Sequence, residues 1–264
     1  MATTLETRDA TLAYDDLVIA EGLTVGIPHG ELTVVIGPNA CGKSTLLKAL
    51  SRLLTPRKGT VTLDGRAVRD FGQKEFARAL ALLPQSSQAP DGITVGDLVA
   101  RGRFPHQRFL RQWSVEDEAV VERALAATGV ADLVNRGVDE LSGGQRQRAW
   151  LAMVLAQDTD VLILDEPTTF LDIAHQIEVL DLCEALHQEG GRTIVAVLHD
   201  LNQAARYATH LVAMKGGRVV AEGAPKDIIT EDLVAEVFGV RAQISTEPVT
   251  GAPLMIPLGL VARP

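Results

Sequence analysis

The apolar stretch Leu32–Ile36 (LTVVI) runs directly into Gly37-Pro38-Asn39-Ala40-Cys41-Gly42-Lys43-Ser44-Thr45, and a helical segment, Ser44–Leu54, follows. No other feature restricts the chain as much. The letters fit G-x-x-x-x-G-K-[ST], a loop held between a strand and a helix. Glycines let successive backbone N–H groups converge on phosphate oxygens. The helix that follows points its positive N-terminus at the same oxygens. Lys43 would neutralise the β- and γ-phosphates, and the Ser44 hydroxyl would ligate Mg²⁺. A chance match in a chain of 264 residues is on the order of one in a hundred at average composition. The strand before the loop and the helix after it lower that further. A glycine-rich turn ahead of a helix is the plainer alternative.

Such a loop belongs in a sheet whose strands alternate with helices, and the rest of the chain has that alternation. Gly59–Leu63, Leu80–Leu83, Val161–Leu164 and Thr193–Leu198 read as strands, and Val115–Thr128, Gln145–Gln157 and Ile173–Gln188 as helices. The pattern predicts an α/β fold with a mostly parallel sheet and helices on both faces. The first ~30 residues differ, with short β-like stretches and no helix between them. Lys215-Gly216-Gly217-Arg218 reads as a hairpin turn within residues 211–222. Residues 241–264, with scattered Pro and Gly, read either as a short strand pair or as a loose tail. The length suits one large domain, or one domain with a modest second lobe.

Two further motifs carry chemistry. Val161-Leu162-Ile163-Leu164-Asp165-Glu166-Pro167 places two carboxylates at the C-terminal edge of a buried strand, where α/β sheets bind ligands. An acidic pair after a strand is common in loops, but beside a phosphate loop it has a cation to neutralise. Asp165 would hold magnesium, and Glu166 would polarise an attacking water. In Leu141-Ser142-Gly143-Gly144-Gln145, Ser142 can cap a helix beginning near Gln145, and the two glycines expose N–H groups beside its terminus. A plain capped helix is the alternative. One nucleotide does not need two anion sites, so this segment is expected to meet the γ-phosphate held by another subunit.

Together, in this order, the three motifs resemble the ATP-binding cassette of ABC transporters, and the resemblance spans nearly the whole chain. It implies an ABC-type P-loop NTPase cassette with a mostly parallel core sheet, an N-terminal antiparallel β-layer and a helical subdomain. It also implies a single domain, 1–264, with a nucleotide-binding core at 1–84 and 159–264 and a signature lobe at 85–158. Gly37, Pro38, Asn39, Ala40, Cys41, Gly42, Lys43, Ser44 and Thr45 would bind ATP, with Tyr14 on the adenine. Lys43, Gln85, Glu166 and His199 are the expected catalytic set, and Ser44, Gln85 and Asp165 the Mg²⁺ set. Ser142, Gly143, Gly144, Gln145 and Asp172 would reach the ATP of a second copy. Gln85 can also be a solvated loop residue, His199 a core histidine, and Tyr14 a packed residue of the β-layer.

The stretches Ala100–His106 (ARGRFPH), Thr168–Gln176 (TTFLDIAHQ) and Val197–Tyr207 (VLHDLNQAARY) are similar to the ATPase subunits of iron(III)–siderophore importers. Vitamin B12 and haem importers carry similar segments and stay open as alternatives. His106 and His175 read as structural, since this subunit is not expected to touch iron. Cys41 stands where a small residue is common. A thiol beside phosphates and a helix N-terminus is expected to have a lowered pKa, so its alkylation should inactivate and MgATP should protect.

A resemblance of this kind implies a homodimer, polytopic permease subunits and, indirectly, an external substrate-binding protein. The expected location is peripheral, on the cytoplasmic face of the membrane, with the stretch from Gln85 to about His106 beside a permease helix. Composition agrees. At 46% hydrophobic and 22% charged the chain reads as globular, and its 4% aromatic content predicts a core of Leu, Val, Ile and Ala. No apolar run approaches the ~18 residues that span a bilayer. The N-terminus shows no secretory pattern. Cys41 and Cys183 fit a reducing compartment. A net charge of −9 argues against a nucleic-acid partner. A soluble ABC-type ATPase acting on DNA or ribosomes is disfavoured by the short, heptad-free span from Gln85 to Leu141 and by the single cassette. A non-enzymatic nucleotide switch is disfavoured by Lys43, Glu166 and His199.

Overall fold

Strand and helix alternate along the chain as the apolar patterning dictates. The computed structural model describes residues 3–85, 88–107, 113–188 and 190–262. β1 (Thr3–Tyr14) and β2 (Leu17–Pro28) lead to β3 (Leu32–Ile36), α1 (Lys43–Leu50), β4 (Lys58–Leu63) and β5 (Arg66–Ala67). Then come α2 (Gln73–Ala79), β6 (Leu80–Leu83), α3 (Val95–Ala100), α4 (Val115–Ala127), α5 (Gly143–Ala156), β7 (Val161–Asp165) and α6 (Ile173–Gln188). The last stretch holds β8 (Thr193–Val197), α7 (Leu201–Tyr207), β9 (His210–Lys215), β10 (Arg218–Gly223), α8 (Pro225–Ile228), α9 (Glu231–Phe238), β11 (Val240–Thr246) and β12 (Pro253–Leu260). The chain divides into two compact units, Met1–Asp70 with Thr193–Pro264, and Phe71–Arg192.

In the first unit β3 is buried at every position. It lies between β8 and β9 and is parallel to both, with Leu32 opposite Ile194 and Thr33 opposite His210. An apolar strand flanked this way needs cover on both faces, which accounts for its unbroken run. β10 is antiparallel to β9. Its turn residues Gly216 and Gly217 have φ of 54° and 77°, the left-handed pair that a tight hairpin needs. β2, β1, β4 and β5 form the antiparallel N-terminal sheet. The short stretches expected there are two twelve-residue strands. Register shifts, one of them beside Asp9 at φ 47°, break the alternation that would have revealed their length. Helix α1 ends at Leu50 rather than Leu54, because Arg52 turns left-handed at φ 63°. Of the two readings of the C-terminal segment, the strand pair holds. β11 and β12 pair over Thr246–Pro253 to Val240–Leu260. Asn202 of α7 ties β12 down, donating to Met255 O at 3.2 Å and accepting from Met255 N at 2.7 Å.

In the second unit β6 and β7 are parallel, with Leu80 opposite Val161. Helix starts follow the caps in the sequence. Ser114 and Asp117 form a capping box at α4, and Ser142 and Gln145 form one at α5. The Ala100–His106 stretch packs on α5. A Cβ on Gly102 would lie 2.3 Å from Met153 O, and Arg103 Nη1 donates to Ala156 O at 3.0 Å. Arg103 also pairs with Asp117 at 2.8 Å, both side chains nearly buried. The cores of both units rest on aliphatic side chains such as Leu5, Leu12, Ile36, Leu46, Leu98 and Leu162. The expected α/β class, with parallel core strands, helices and an antiparallel β-layer, holds.

Candidate functional site

The first unit carries the glycine-rich loop. It leaves β3 at Gly37, whose φ is 151° and where a Cβ would lie 2.2 Å from Met214 O, so the backbone admits only glycine. Ala40 (φ 61°) and Gly42 (φ 106°) are also left-handed, and the loop curls back before α1 begins at Lys43. Lys43 is 5% exposed, and its Nζ donates to Gly37 O at 2.8 Å and Pro38 O at 2.9 Å. The lysine charge is therefore gathered onto the loop's own carbonyls. Asn39 and Ala40 are exposed, Pro38 and Ser44 half-buried, and Cys41, Gly42 and Thr45 buried.

The Cys41 expectation needs correction. Its thiol is 4% exposed, and burial pushes its pKa up, with nearby Lys43 only partly offsetting this. Desolvation of the thiolate outweighs the neighbouring positive charge. Tyr14, at the end of β1, is 39% exposed, and Lys48 Nζ on α1 sits 5.4 Å from its ring centroid, a cation–π contact. His199 is exposed just past β8. Asp200 beside it caps α7, accepting from Asn202 N at 2.8 Å and Gln203 N at 3.1 Å, and so fixes where His199 leaves the strand.

The second unit carries the acidic pair and the capped helix. Asp165 and Glu166 follow the buried run of β7 and are 4% and 9% exposed. Glu166 is left-handed at φ 56°, a strained conformation for a side chain of its size. Thr169 holds it there, donating through its backbone N to Glu166 O at 3.2 Å and through Oγ1 to Oε2 at 3.0 Å. Asp172 is exposed and accepts at one oxygen from His175 N (3.0 Å) and Nδ1 (2.7 Å). Those bonds hold its carboxyl below the usual range, the backbone bond first. At α5, Ser142 Oγ accepts from Gln145 N at 3.3 Å while Gln145 Oε1 accepts from Ser142 N at 3.1 Å. The N-terminus of α5 lies against the 167–171 turn. Gln147 Nε2 donates to Pro167 O at 3.3 Å, and a Cβ on Gly144 would meet Leu171 Cδ2 at 3.2 Å. Gln85 is exposed past β6, and residues 86 and 87 of the expected permease-facing stretch lie outside the described residues.

Within each unit, then, the expected residues cluster: Gly37 to Thr45 as one loop, and Ser142 to Gln145 beside the turn that carries Glu166 and Asp172. Sequence reasoning missed Lys48 and Thr169. Thr169 follows Glu166 at turn spacing, a signal that was available; Lys48 meets Tyr14 only through the fold. His106 is structural, with Nε2 at 2.8 Å from Gln157 O.

The ABC transporter family matches residues 20–169. The chain is 54% identical to the ferric enterobactin transport ATP-binding protein FepC of Escherichia coli (strain K12), over 98% of this chain and 95% of that protein. It is 53% identical to the petrobactin import ATP-binding protein FpuD of Bacillus anthracis, with the same coverage of 98% and 95%. Among solved structures it resembles a dimeric bacterial ABC transporter cassette, with a TM-score of 0.75 and 25% identity over 83% of this chain and 98% of that one. With more than half of its length matched and relatives this similar from end to end, the chain belongs to the ABC transporter family.

Proposed function

We propose that this chain binds and hydrolyses ATP to power an ABC importer of iron(III)–siderophore complexes. The observation that carries the reading is end-to-end identity above one half with two siderophore transport subunits. An intact phosphate-loop sequence from Gly37 to Thr45 accompanies it.

The chemistry follows from the residues. Backbone N–H groups of Gly37–Thr45 and the N-terminus of α1 take the phosphates, and Tyr14 takes the adenine face. Lys43 exchanges its two loop carbonyls for the β- and γ-phosphate oxygens. Ser44, Asp165 and Gln85 offer the hard oxygen donors that Mg²⁺ prefers, and two adjacent carboxylates as buried as Asp165 and Glu166 suit a cation. When bound, Mg²⁺ neutralises charge developing on the phosphates. Glu166 accepts the proton of the attacking water, held at a fixed angle by Thr169. Gln85 orients that water, and His199 contacts the γ-phosphate. Ser142, Gly143, Gly144 and Gln145, with Asp172, serve the ATP held by a second copy. The working enzyme is a homodimer whose closure does work on the permease.

On this reading the nucleotide-binding core is 1–84 with 159–264 and the signature lobe is 85–158, a division by chemistry rather than by compactness. Among the described residues no helix is long and apolar enough to cross a membrane. Permease subunits supply the membrane path, an external binding protein delivers cargo to them, and this chain sits peripherally on the cytoplasmic face. Nucleic acid has no part.

Glu166→Gln tests the mechanism. The variant should bind ATP, lose turnover and persist as a closed dimer in MgATP; normal turnover would refute Glu166 as the base. Uptake assays with the cognate permease test the cargo. Iron(III)–siderophore accumulation should depend on this chain, and dependence of cobalamin or haem uptake instead would move the assignment to those importers.

A further inference from the structure

The phosphate loop has a back as well as a front, and three elements meet there. Gly217 N, in the β9–β10 turn, donates to Cys41 O at 2.9 Å. The turn cannot retreat, since a Cβ on Gly217 would lie 2.1 Å from Ile19 O and 3.0 Å from Ala20 Cα of β2. Nor can it swing sideways, because Lys215 Nζ donates to Glu236 O in the last turn of α9. Ile19 also presses on the loop itself, with Cγ2 3.3 Å from where a Gly42 Cβ would be.

A trans peptide is planar, and its C=O and N–H point in opposite directions. No cis peptide is present among the described residues. Fixing Cys41 O toward Gly217 therefore fixes the Gly42 N–H away from the turn. We infer that the β9–β10 turn is a positioning device for ATP binding. Gly217 N–H holds the Cys41–Gly42 peptide so that the Gly42 N–H is preset toward the phosphates. The inference rests on the reading of Gly37–Thr45 as the phosphate loop. Gly217 is a positioning residue, since it acts only through the loop.

Gly217→Ala in the full-length chain is the first test, with Gly216→Asn as control. Gly216 shares the turn, but a Cβ there meets nothing within 4 Å, and Asn tolerates its left-handed φ of 54°. Loss of one hydrogen bond to the loop should raise the KM for ATP about ten-fold. Because the lost contact serves ground and transition states alike, kcat at saturating ATP should stay within about two-fold. Gly216→Asn should match the unaltered chain. A Gly217→Ala chain with unchanged KM overturns the inference, whether or not its kcat or melting temperature falls.

Should Gly217→Ala fail to fold, hydrogen exchange in the unaltered chain decides. MgATP should slow exchange of the Gly217 amide, and an unchanged rate at saturating MgATP overturns the inference. Lys43→Ala separates the two readings. Unaltered ATP affinity in Lys43→Ala refutes the phosphate loop itself. Lost affinity there, beside unaltered affinity in Gly217→Ala, refutes only the role of the turn.

Discussion

Cys41 sits in the loop proposed to hold phosphates, yet its own negative form is disfavoured there. Burial removes the water that would solvate a thiolate, and Lys43 offsets only part of that cost. Cys183, fully enclosed on α6, is pushed up to about 12 by burial alone. In a thiol titration of the native protein at neutral pH, Cys183 should stay unreactive and Cys41 should react more slowly than a free thiol. Both should react at once in denaturant. Native Cys41 reacting faster than free cysteine would restore the activated-thiol view. His210 adds a pH effect of known sign. Burial lowers its pKa, against the raising influence of Glu222 and Glu31, and its Nε2 is enclosed with no hydrogen-bond partner. An unfolded histidine titrates near 6.5, so below about that pH the unfolded chain binds the proton more readily. The contribution of His210 to stability is therefore complete above pH ~6.5 and is lost as pH falls from there through its lowered folded-state pKa. His210→Phe should flatten the fall in melting temperature between pH ~7 and ~5.5, and an unchanged slope would place that fall on other groups.

Helices α4 and α5 are joined at the scale of elements by a buried ion pair. Burial would raise the Asp117 pKa, but hydrogen bonds from Arg103 and Ser114 outweigh it and hold the carboxyl below its usual range. Arg103 spans both helices, bonding Asp117 near the start of α4 and Ala156 O at the end of α5. Arg103→Ala leaves that carboxylate buried without its counter-charge, held only by Ser114, and should destabilise the second unit by about 3 kcal/mol in denaturant titrations. A loss below about 1 kcal/mol would mean that water replaces the guanidinium. The elements also show what a sequence can disclose. Helix α5 was legible because Ser142 announces its start, and α4 and α6 because their length and apolar patterning mark them as helices. β1 and β2 were not, because a register shift beside Asp9 inserts an extra residue into the alternation. The end of α1 was hidden in the left-handed turn at Arg52. Of the candidate site, the three motifs were readable because each packs its chemistry into consecutive residues. Contacts such as Tyr14 with Lys48, or Cys41 with Gly217, join segments that only the fold brings together.

At the scale of the molecule the decisive property is that one chain holds two unlike segments proposed to bind phosphate, Gly37–Thr45 and Ser142–Gln145, one in each compact unit. Each motif ends at a helix N-terminus, and the second is left exposed at Ser142 and Gly143. If the exposed segment serves the ATP of a second copy, a variant broken in one motif still carries a sound version of the other. Lys43→Ala and Ser142→Arg homodimers should each be inactive, since each has two spoiled sites. Mixing them in equal amounts lets half the dimers form from one of each kind. In those, the Ser142→Arg chain holds ATP on its own Lys43 and faces the intact Ser142 of the other chain. About a quarter of all sites are then sound, by the two-fold symmetry of such a dimer. ATPase activity should rise from near zero toward that fraction on mixing, and specific activity of the unaltered chain should rise with concentration as dimers form. Mixed dimers demonstrated by cross-linking, yet without any recovered activity, would refute the sharing of sites between copies. Activity of the unaltered chain that does not depend on concentration, in a demonstrably monomeric sample, would refute the need for a second copy altogether.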